Sequence, residues 1–241
     1  MTTVAESASQ DLTKKSFKRR LEDFGRYVRR NPSLGVGIAL LMSLLLFVII
    51  GYATYEVERF RPLSGGPDLA PFESDPYNPG TRSGGYILGT DRQGRDVMSV
   101  MIAGIPLTLQ IGLIAGLIGI SVGTVLAFIA AYYGGWVDQV ISTIVDVGLT
   151  IPGILILIVI AVNIQSGLSV QQMGLAVSAV AWVWPARTIR AQVLVMREQL
   201  YVEIARLSGT SGFSIMFKEM LPNLAPYIGA SLVGSVASAI L

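Results

Sequence analysis

Long apolar blocks, separated by short polar or glycine-rich stretches, dominate this chain of 241 residues. An uncharged apolar block of about 20 residues is what a hydrocarbon layer about 30 Å thick requires of a helix. We distinguish five such blocks, so the pattern predicts an all-α, polytopic membrane protein. The predicted spans are 34–55, 105–132, 140–163, 174–184 and a last one that opens at about Pro226.

Two of these spans are incomplete as membrane crossings. The span 174–184 is short, but Arg187, Arg190 and Arg197 continue its helical register on one face, which predicts a helix that projects into the cytoplasm. The last span stops at Leu241, inside an apolar helix whose final carbonyl groups would lack partners. We therefore expect a sixth helix beyond this sequence.

Four glycines recur along the span 105–132 at steps of four, three and four residues and share one helical face. They form two G-x-x-x-G pairs, a pattern that lets helix backbones approach closely in membranes. We predict close helix packing at Gly112, Gly116, Gly119 and Gly123. A tight turn over 132–139 is predicted to lead into the next span.

Charge distribution predicts the orientation of the chain. Basic residues crowd the N-terminal segment 1–33, and a second cationic excess lies between Arg187 and Glu219. Because Lys and Arg are retained on the cytoplasmic side of a membrane, both segments are predicted to be cytoplasmic. The chain is thus expected in the cell (inner) membrane with a cytoplasmic N-terminus.

Within the N-terminal segment, residues 1–12 predict a polar tail without fixed structure. The spacing of apolar residues over Phe17–Tyr27 fits a short amphipathic helix on the membrane surface, and a solvated basic arm is an equal alternative. The apolar stretch 34–55 is longer than the core of about 7–15 residues in a signal peptide, which favours a retained helix.

The inventory of side chains excludes most catalytic chemistry. The chain is 52% hydrophobic and 14% charged, and it has no Cys and no His. Ser/His/Asp triads, thiolate metal sites and histidine acid–base catalysis are therefore ruled out. We predict no catalytic residues, no metal site and no cofactor.

The loop 56–104 is rich in Pro, Gly and Asp and is predicted to be external. It contains Leu-Gly-Thr-Asp-Arg-Gln-Gly-Arg-Asp-Val at 88–97. Thr90 and Asp91 suit a turn or a helix cap, and Arg95 is placed to neutralise the neighbouring carboxylates. On these grounds alone the segment is a well-made loop that leads into a helix.

The segment 187–222 contains two predicted short amphipathic helices joined at Gly209. The apolar stripe of the first helix consists of Leu200, Ile204 and Leu207. Gly209 follows where a helix end favours positive φ, and Ser211 is placed to cap a second helix that ends at Pro222. Two such helices between two spans would offer a surface that a soluble partner can bind and move. An ordinary interfacial loop is an equal alternative.

The same segment resembles the EAA signature of ABC importer permeases, whose pattern is E-A-A-x3-G-x9-I-x-L-P. The matching residues are Glu203, Ala205, Gly209, Leu221 and Pro222. Ile204 replaces the second Ala of the pattern, and Glu219 replaces its apolar residue. The resemblance implies that this loop couples the spans to an ATPase.

The segment 88–97 resembles the L-G-T-D-x-x-G-R-D-V motif of the C-type subunit in the oligopeptide and dipeptide branch of these permeases. The motif residues are Gly89, Thr90, Asp91, Gly94, Arg95 and Asp96. Tyr86 stands where that family often has His. The resemblance extends from the first span to Leu241, and it implies a type I ABC importer permease fold with five helices visible and a sixth missing.

This resemblance implies a permease subunit of an ATP-driven importer for di- or oligopeptides, which forms half of the translocation pathway. The implied partners are a homologous permease subunit in a heterodimer, two ATP-binding subunits, an extracytoplasmic substrate-binding protein and the lipid membrane. The chain lacks G-x-x-x-x-G-K-[ST], so ATP hydrolysis belongs to partner chains, and no nucleic acid is expected. Nickel chelates or sugars are the alternative cargo.

Two other classes of membrane protein are weaker interpretations. A secondary transporter or channel would need ionisable groups along an intramembrane path, and only Asp146 lies within an apolar block. A structural hydrogen-bonding or interfacial role is the favoured interpretation of that residue. A membrane-embedded hydrolase would need a nucleophile with a base, and no Lys occurs inside any predicted span.

Overall fold

The structure is a computed structural model that describes residues 25–73, 75, 86–164 and 167–240. Helices provide nearly all regular structure in these ranges, which confirms the all-α prediction; an isolated bridge pairs Thr90 with Asp96. The predicted polar tail, residues 1–12, and most of the predicted surface helix over Phe17–Tyr27 lie outside the described residues.

The helices are numbered in chain order. They are α1 (Pro32–Thr54), α2 (Val97–Tyr133), α3 (Gly135–Thr150), α4 (Gly153–Asn163), α5 (Val170–Ala181), α6 (Val183–Arg197), α7 (Leu200–Leu207), α8 (Gly212–Ile215) and α9 (Leu221–Ile240). A 3-10 helix, Val57–Phe60, follows α1, and a π-helical turn, Met216–Met220, joins α8 to α9. Residues 25–30 are helical as well.

Within the described ranges, three helical stretches are long and apolar enough to cross a membrane. They are Pro32–Thr54, Val97–Tyr133 and the continuous stretch Gly212–Ile240, and α3 with α4 makes a fourth if the bent pair counts as one span. Helix α5 has only 12 residues, so the predicted span 174–184 does not qualify on its own. The last span begins well before Pro226, which lies inside α9.

The predicted span 140–163 is broken in its middle. Helix α3 ends at Thr150 and α4 begins at Gly153, with an angle of 78° between them. Ile151 has the extended backbone (φ −86°, ψ 121°) that a residue before proline prefers, and Pro152 is the N-cap of α4. The apolar pattern alone did not reveal this break, because it continues through the proline.

The predicted turn over 132–139 is much shorter in the structure. Helix α2 runs to Tyr133 and α3 starts at Gly135, so only Gly134 separates them. Both glycines have positive φ, +65° and +56°, a conformation that glycine adopts without steric cost. The chain thus reverses on two adjacent glycines.

The chain divides into two compact units, residues 1–103 and 104–241. In the first unit, α1 packs directly on the start of α2, because a Cβ atom at Gly51 would lie 2.7 Å from Cγ1 of Ile102. Helix α2 already begins at Val97, so residues 97–104 of the predicted external loop are helical. The described part of the loop before α2 consists mainly of turns.

The core of the second unit lies where α2, α6, α7 and the stretch α8–α9 meet. Its buried residues are Ile120, Ala127, Phe128, Ala131, Ile189, Val193, Val202, Ile215, Met216, Met220 and Leu224. A smaller cluster of Val145, Val183 and Ala186 joins α3 to α6. Because residues 187–197 belong to α6, the predicted loop 187–222 is largely helical.

Candidate functional site

Helix α7 has one buried face and one exposed face. Val202 is fully buried, and Tyr201 and Ala205 pack against the same core. The predicted apolar stripe points the other way. Its exposed fractions are 69% at Leu200, 54% at Ile204 and 83% at Leu207. These three residues form the apolar face of α7, which Glu203 accompanies as an exposed side chain.

Gly209 ends α7 in a left-handed conformation, with φ of +77°. The Gly209 N–H donates to the carbonyl of Arg206, and the Thr210 N–H donates to the carbonyl of Ala205. This pair of bonds is the Schellman arrangement, which satisfies the last carbonyls of a helix. A Cβ atom at Gly209 would meet nothing within 4 Å, so the backbone conformation alone requires glycine there.

The second predicted short helix is not a separate element. Ser211 stands at its N-cap as expected, although its side chain makes no capping bond. Helix α8 then passes through the π-helical turn into α9, so α8 is the start of the last span, Gly212–Ile240. The wider turn directly precedes Pro222, which lacks the N–H that an ordinary α-helix would use. Pro222 is exposed, and Leu221 packs on the core.

Two aromatic residues extend the exposed apolar surface beyond α7. Phe213 is 71% exposed and Phe217 is 52% exposed. Their ring centroids lie 4.5 Å apart, which is stacking distance. Lys218 and Glu219 beside them are exposed. Phe213 and Phe217 thus extend the exposed apolar surface of α7 onto the start of the last span.

The end of α2 holds the segment in place. Nη1 of Arg197 donates a hydrogen bond of 2.9 Å to the carbonyl oxygen of Ala131, near the C-terminus of α2. The guanidinium group of Arg206 lies 5.9 Å from the centre of the Tyr132 ring. The end of α2 thus contacts the end of α6 through Arg197 and α7 through Arg206.

The glycines of the 88–97 motif permit close backbone contacts in the first unit. Gly89 has φ of +75° and lies against the carbonyl of Leu69, and Gly94 has φ of +69° and lies against the carbonyl of Gly65. A Cβ atom at either position would overlap that carbonyl oxygen. Both glycines are buried.

The polar residues of the motif bond to one another and to the preceding turns. Asp91 accepts hydrogen bonds from the backbone N–H of Gln93 and Arg95 and from Nε of Arg95, at 2.7–2.9 Å. These hydrogen bonds hold the pKa of the Asp91 carboxyl below its ordinary value, and the bond from the Arg95 backbone N–H has the largest effect. Thr90 accepts from the N–H of Leu69 and donates to a carbonyl.

Asp96 is fully buried and precedes α2. Its carboxylate accepts a bond from the N–H of Met98 at 3.0 Å and another from the hydroxyl of Ser99 at 3.2 Å. This is the role of a helix N-cap. The motif therefore acts as an internal clasp that fixes the loop to the start of α2.

The four glycines of α2 are buried beneath other helices of the second unit. The nearest atoms to an added Cβ belong to Ile240 at Gly112, Val236 at Gly116, Ala181 at Gly119 and Ala186 at Gly123, at 2.6–2.9 Å. Helix α9 thus covers the first two glycines, and the junction of α5 and α6 covers the other two. The close packing takes place within this chain.

Two ion pairs between α3 and α6 were not predicted. Nε and Nη2 of Arg190 donate to the two carboxylate oxygens of Asp138, each at 2.5 Å. Nη1 of Arg187 lies 3.5 Å from Oδ1 of Asp146, between side chains that are 60% and 64% exposed. The sequence pattern places the arginines on one face, but it does not reveal their acidic partners, which lie about 50 residues earlier for Arg190 and about 40 for Arg187.

Comparison with known proteins bears on this arrangement. A family model described as "Binding-protein-dependent transport system inner membrane component" matches residues 119–241, which is more than half of the chain. The match includes two of the four packed glycines, Gly119 and Gly123, both ion pairs and the whole segment from α7 to α9.

Individual relatives agree with the family match. The chain is 30% identical over 202 residues to the glutathione transport system permease protein GsiD of Pectobacterium atrosepticum, covering 83% of this chain and 62% of the relative. It is 32% identical to the dipeptide transport system permease protein DppC of Alkalihalophilus pseudofirmus, covering 87% and 65%. It is 25% identical to the oligopeptide transport system permease protein OppC of Mycobacterium tuberculosis, covering 89% and 71%.

The chain spans less than two thirds of the length of the first two of these relatives. The matches and the apolar helices together identify a multi-pass membrane protein. The chain belongs to the family of binding-protein-dependent transport system inner membrane components, whose members have the type I ABC importer permease fold that the sequence motifs predicted.

Proposed function

We propose that this chain is the transmembrane permease subunit of an ATP-driven importer of di- or oligopeptides. It forms half of the translocation pathway and couples that pathway to ATPase subunits on separate chains. Support comes from the family match and from relatives named as permeases for glutathione, dipeptides and oligopeptides. In this proposal the cargo is a peptide, and the chain itself hydrolyses nothing.

The observation that carries the proposal is the two-sided character of α7. Its inner face is fixed in the core by Val202, and its apolar face is exposed on the opposite side. An exposed apolar patch is costly in water unless a partner covers it. In an importer, a cleft of the ATPase subunit covers this face, and the core behind it transmits the movement.

The proposed assembly contains four kinds of component besides this chain. A homologous permease subunit completes the pathway as a heterodimer, two ATP-binding subunits dock below, a substrate-binding protein delivers peptide from outside, and lipid surrounds the spans. The basic segment 1–33 supports a cytoplasmic N-terminus, because Lys and Arg are retained on that side. The region of the 88–97 motif is then external.

Two substitutions in residues 200–222, here called the coupling segment, test the proposal in the reconstituted complex. Glu203→Lys reverses an exposed charge beside the apolar face of α7. Gly209→Val forces a β-branched residue into φ of +77°, at a cost of about 1–3 kcal/mol. Thr210→Val is the matched control, since it places the same side chain at the next exposed position.

Both variants are expected to lose peptide uptake and peptide-stimulated ATP hydrolysis together, while the complex still assembles and Thr210→Val behaves as the unmodified protein. Wild-type uptake and stimulation in both variants would make α7 an ordinary interfacial loop. The peptide retained by the co-purified binding protein identifies the cargo, and a nickel chelate or a sugar there would contradict the peptide assignment.

A further inference from the structure

Helix α3 is bounded by a break in the helical path at each end. At its start, Gly134 and Gly135 both have positive φ. At its end, Ile151 and Pro152 interrupt the helix, and α4 turns away by 78°. Helix α3 packs against α6. Helix α3 is therefore a separate helical segment, with a helix break at each end at which its direction can change.

The apolar contact between these two helices is small. It consists of the cluster formed by Val145, Val183 and Ala186, with a few half-buried neighbours. A cavity of about 140 Å³ lies beside it, lined by residues that include Ser142, Asp146 and Arg190. Charged and hydroxyl groups of both helices line this cavity, so polar contacts hold α3 to α6 beside the apolar cluster.

The strongest of these polar contacts is the pair Asp138–Arg190. It has two parallel N–H···O bonds, and its side chains are only 22% and 29% exposed. A guanidinium fork on a carboxylate fixes orientation as well as distance. The hydroxyl of Ser142 adds a contact of 3.4 Å to the same carboxylate. The pair Arg187–Asp146 is longer and more exposed, so it contributes less.

Helix α6 is connected to α7 by a short link and packs with it in one core cluster. Only Glu198 and Gln199 separate it from α7. Val193 of α6 and Val202 of α7 are both fully buried in one cluster. Packed interiors transmit displacement because they deform little. A force on α7 therefore moves α6, and α6 carries Arg190.

We infer that Asp138 and Arg190 are positioning residues for transport: their ion pair makes helix α3 follow α6 when the ATPase displaces α7. The inference rests on the coupling role proposed for α7. It adds the route by which that movement reaches α3, with the two-bond contact fixing the orientation of α3 beside the small apolar cluster.

A double-mutant cycle in the reconstituted complex tests the route. Asp138→Asn and Arg190→Gln are each expected to lower the ratio of peptide imported to ATP hydrolysed by about tenfold, with the complex still assembled. The double variant is expected to be no worse than either single variant, because both remove one interaction. Arg187→Gln is the control on the same helix, with a loss of at most about twofold.

A distance measurement separates this inference from the proposed function. The chain has no cysteine, so spin labels can be placed at Trp136→Cys on α3 and Ser208→Cys at the end of α7, both exposed. In the unmodified background, the distance between the labels is expected to be narrowly distributed and equal in nucleotide-free and nucleotide-trapped complexes. Asp138→Asn is expected to broaden it and make it depend on nucleotide.

A distribution that stays narrow in Asp138→Asn, or an unchanged import ratio in both single variants, overturns the inference. If Asp138→Asn does not assemble, Arg190→Lys replaces it, since Lys keeps the charge but cannot form the two-bond fork. A complex that imports no peptide at all would defeat the proposed function, while the label distances would still decide whether the ion pair ties α3 to α6.

Discussion

The phenol ring of Tyr132 fills the space beside Gly212, so that a Cβ atom at residue 212 would overlap the ring. The hydroxyl end of the Tyr132 side chain lies at the start of α8. The guanidinium group of Arg206 lies over the Tyr132 ring. The start of α8 is therefore positioned by the end of α2.

Gly212→Ala is expected to destabilise the complex by about 1–3 kcal/mol, because the Tyr132 ring must move away from a packed position. Gly234→Ala is the control, since its Cβ would meet no atom within 4 Å in a helix where alanine is preferred. Thermal unfolding of the purified complex measures both. Equal melting temperatures would show that the ring relocates at no cost.

Gly116→Leu is expected to abolish correct packing of α2 against α9. The added side chain would collide with the side chain and backbone of Val236, and backbone cannot move aside cheaply. Gly104→Leu is the matched control on the same helix, because nothing lies within 4 Å of its Cβ position.

The amount of complex that elutes as a single species, and the recovery of the partner permease with this chain, measure the effect. Both are expected to fall for Gly116→Leu and to persist for Gly104→Leu. Normal assembly with lost transport would mean that the glycine serves motion of the helices and not their packing.

Local signals in the sequence predicted the local features of this structure. The left-handed Gly209 and the N-cap position of Ser211 follow from residue type and short-range pattern. The direction of the apolar stripe of α7 could not be predicted in this way. Periodicity defines a face, but only the position of the core decides that Val202 points inward and Leu207 outward.

Features that depend on distant residues were the ones missed. The pair Asp138–Arg190 joins residues 52 positions apart, and each residue alone is an ordinary surface charge in the pattern. The break at Pro152 had a local signal, but the apolar character on both sides masked it. Helix α8 continues into α9 through a π-helical turn, and no residue pattern predicts such a turn.

Asp91→Asn is expected to loosen the clasp at residues 88–97. The backbone N–H groups of Gln93 and Arg95, which bond the carboxylate, should exchange with solvent several-fold faster than in the unmodified chain. Asp68→Asn is the control, because asparagine tolerates the φ of +54° found there. Hydrogen–deuterium exchange of the complex measures both variants.

The pH dependence of the same clasp has a definite sign. The folded pKa of Asp91 lies below its ordinary value of 3.8, so the carboxylate stabilises the fold above that value and the contribution is lost as pH falls through the folded pKa. Protection of the two amides, corrected for intrinsic exchange, should stay constant from neutral pH to about pH 4. Loss of protection between pH 7 and 5 would contradict the assignment.

Single cysteines test the proposed orientation directly, since the chain has no native cysteine. Leu63→Cys lies in the loop before the 88–97 motif and is 89% exposed, and Leu207→Cys lies on α7 and is 83% exposed. The retention of Lys and Arg on the cytoplasmic side predicts that a membrane-impermeant maleimide labels the first residue in intact cells and the second only after permeabilisation. Both side chains are exposed in this chain by itself. The labelling is done on membranes that lack the ATPase subunits, because in the proposed assembly those subunits cover Leu207. The opposite labelling order would invert the topology, and it would remove α7 from the side on which ATP is hydrolysed.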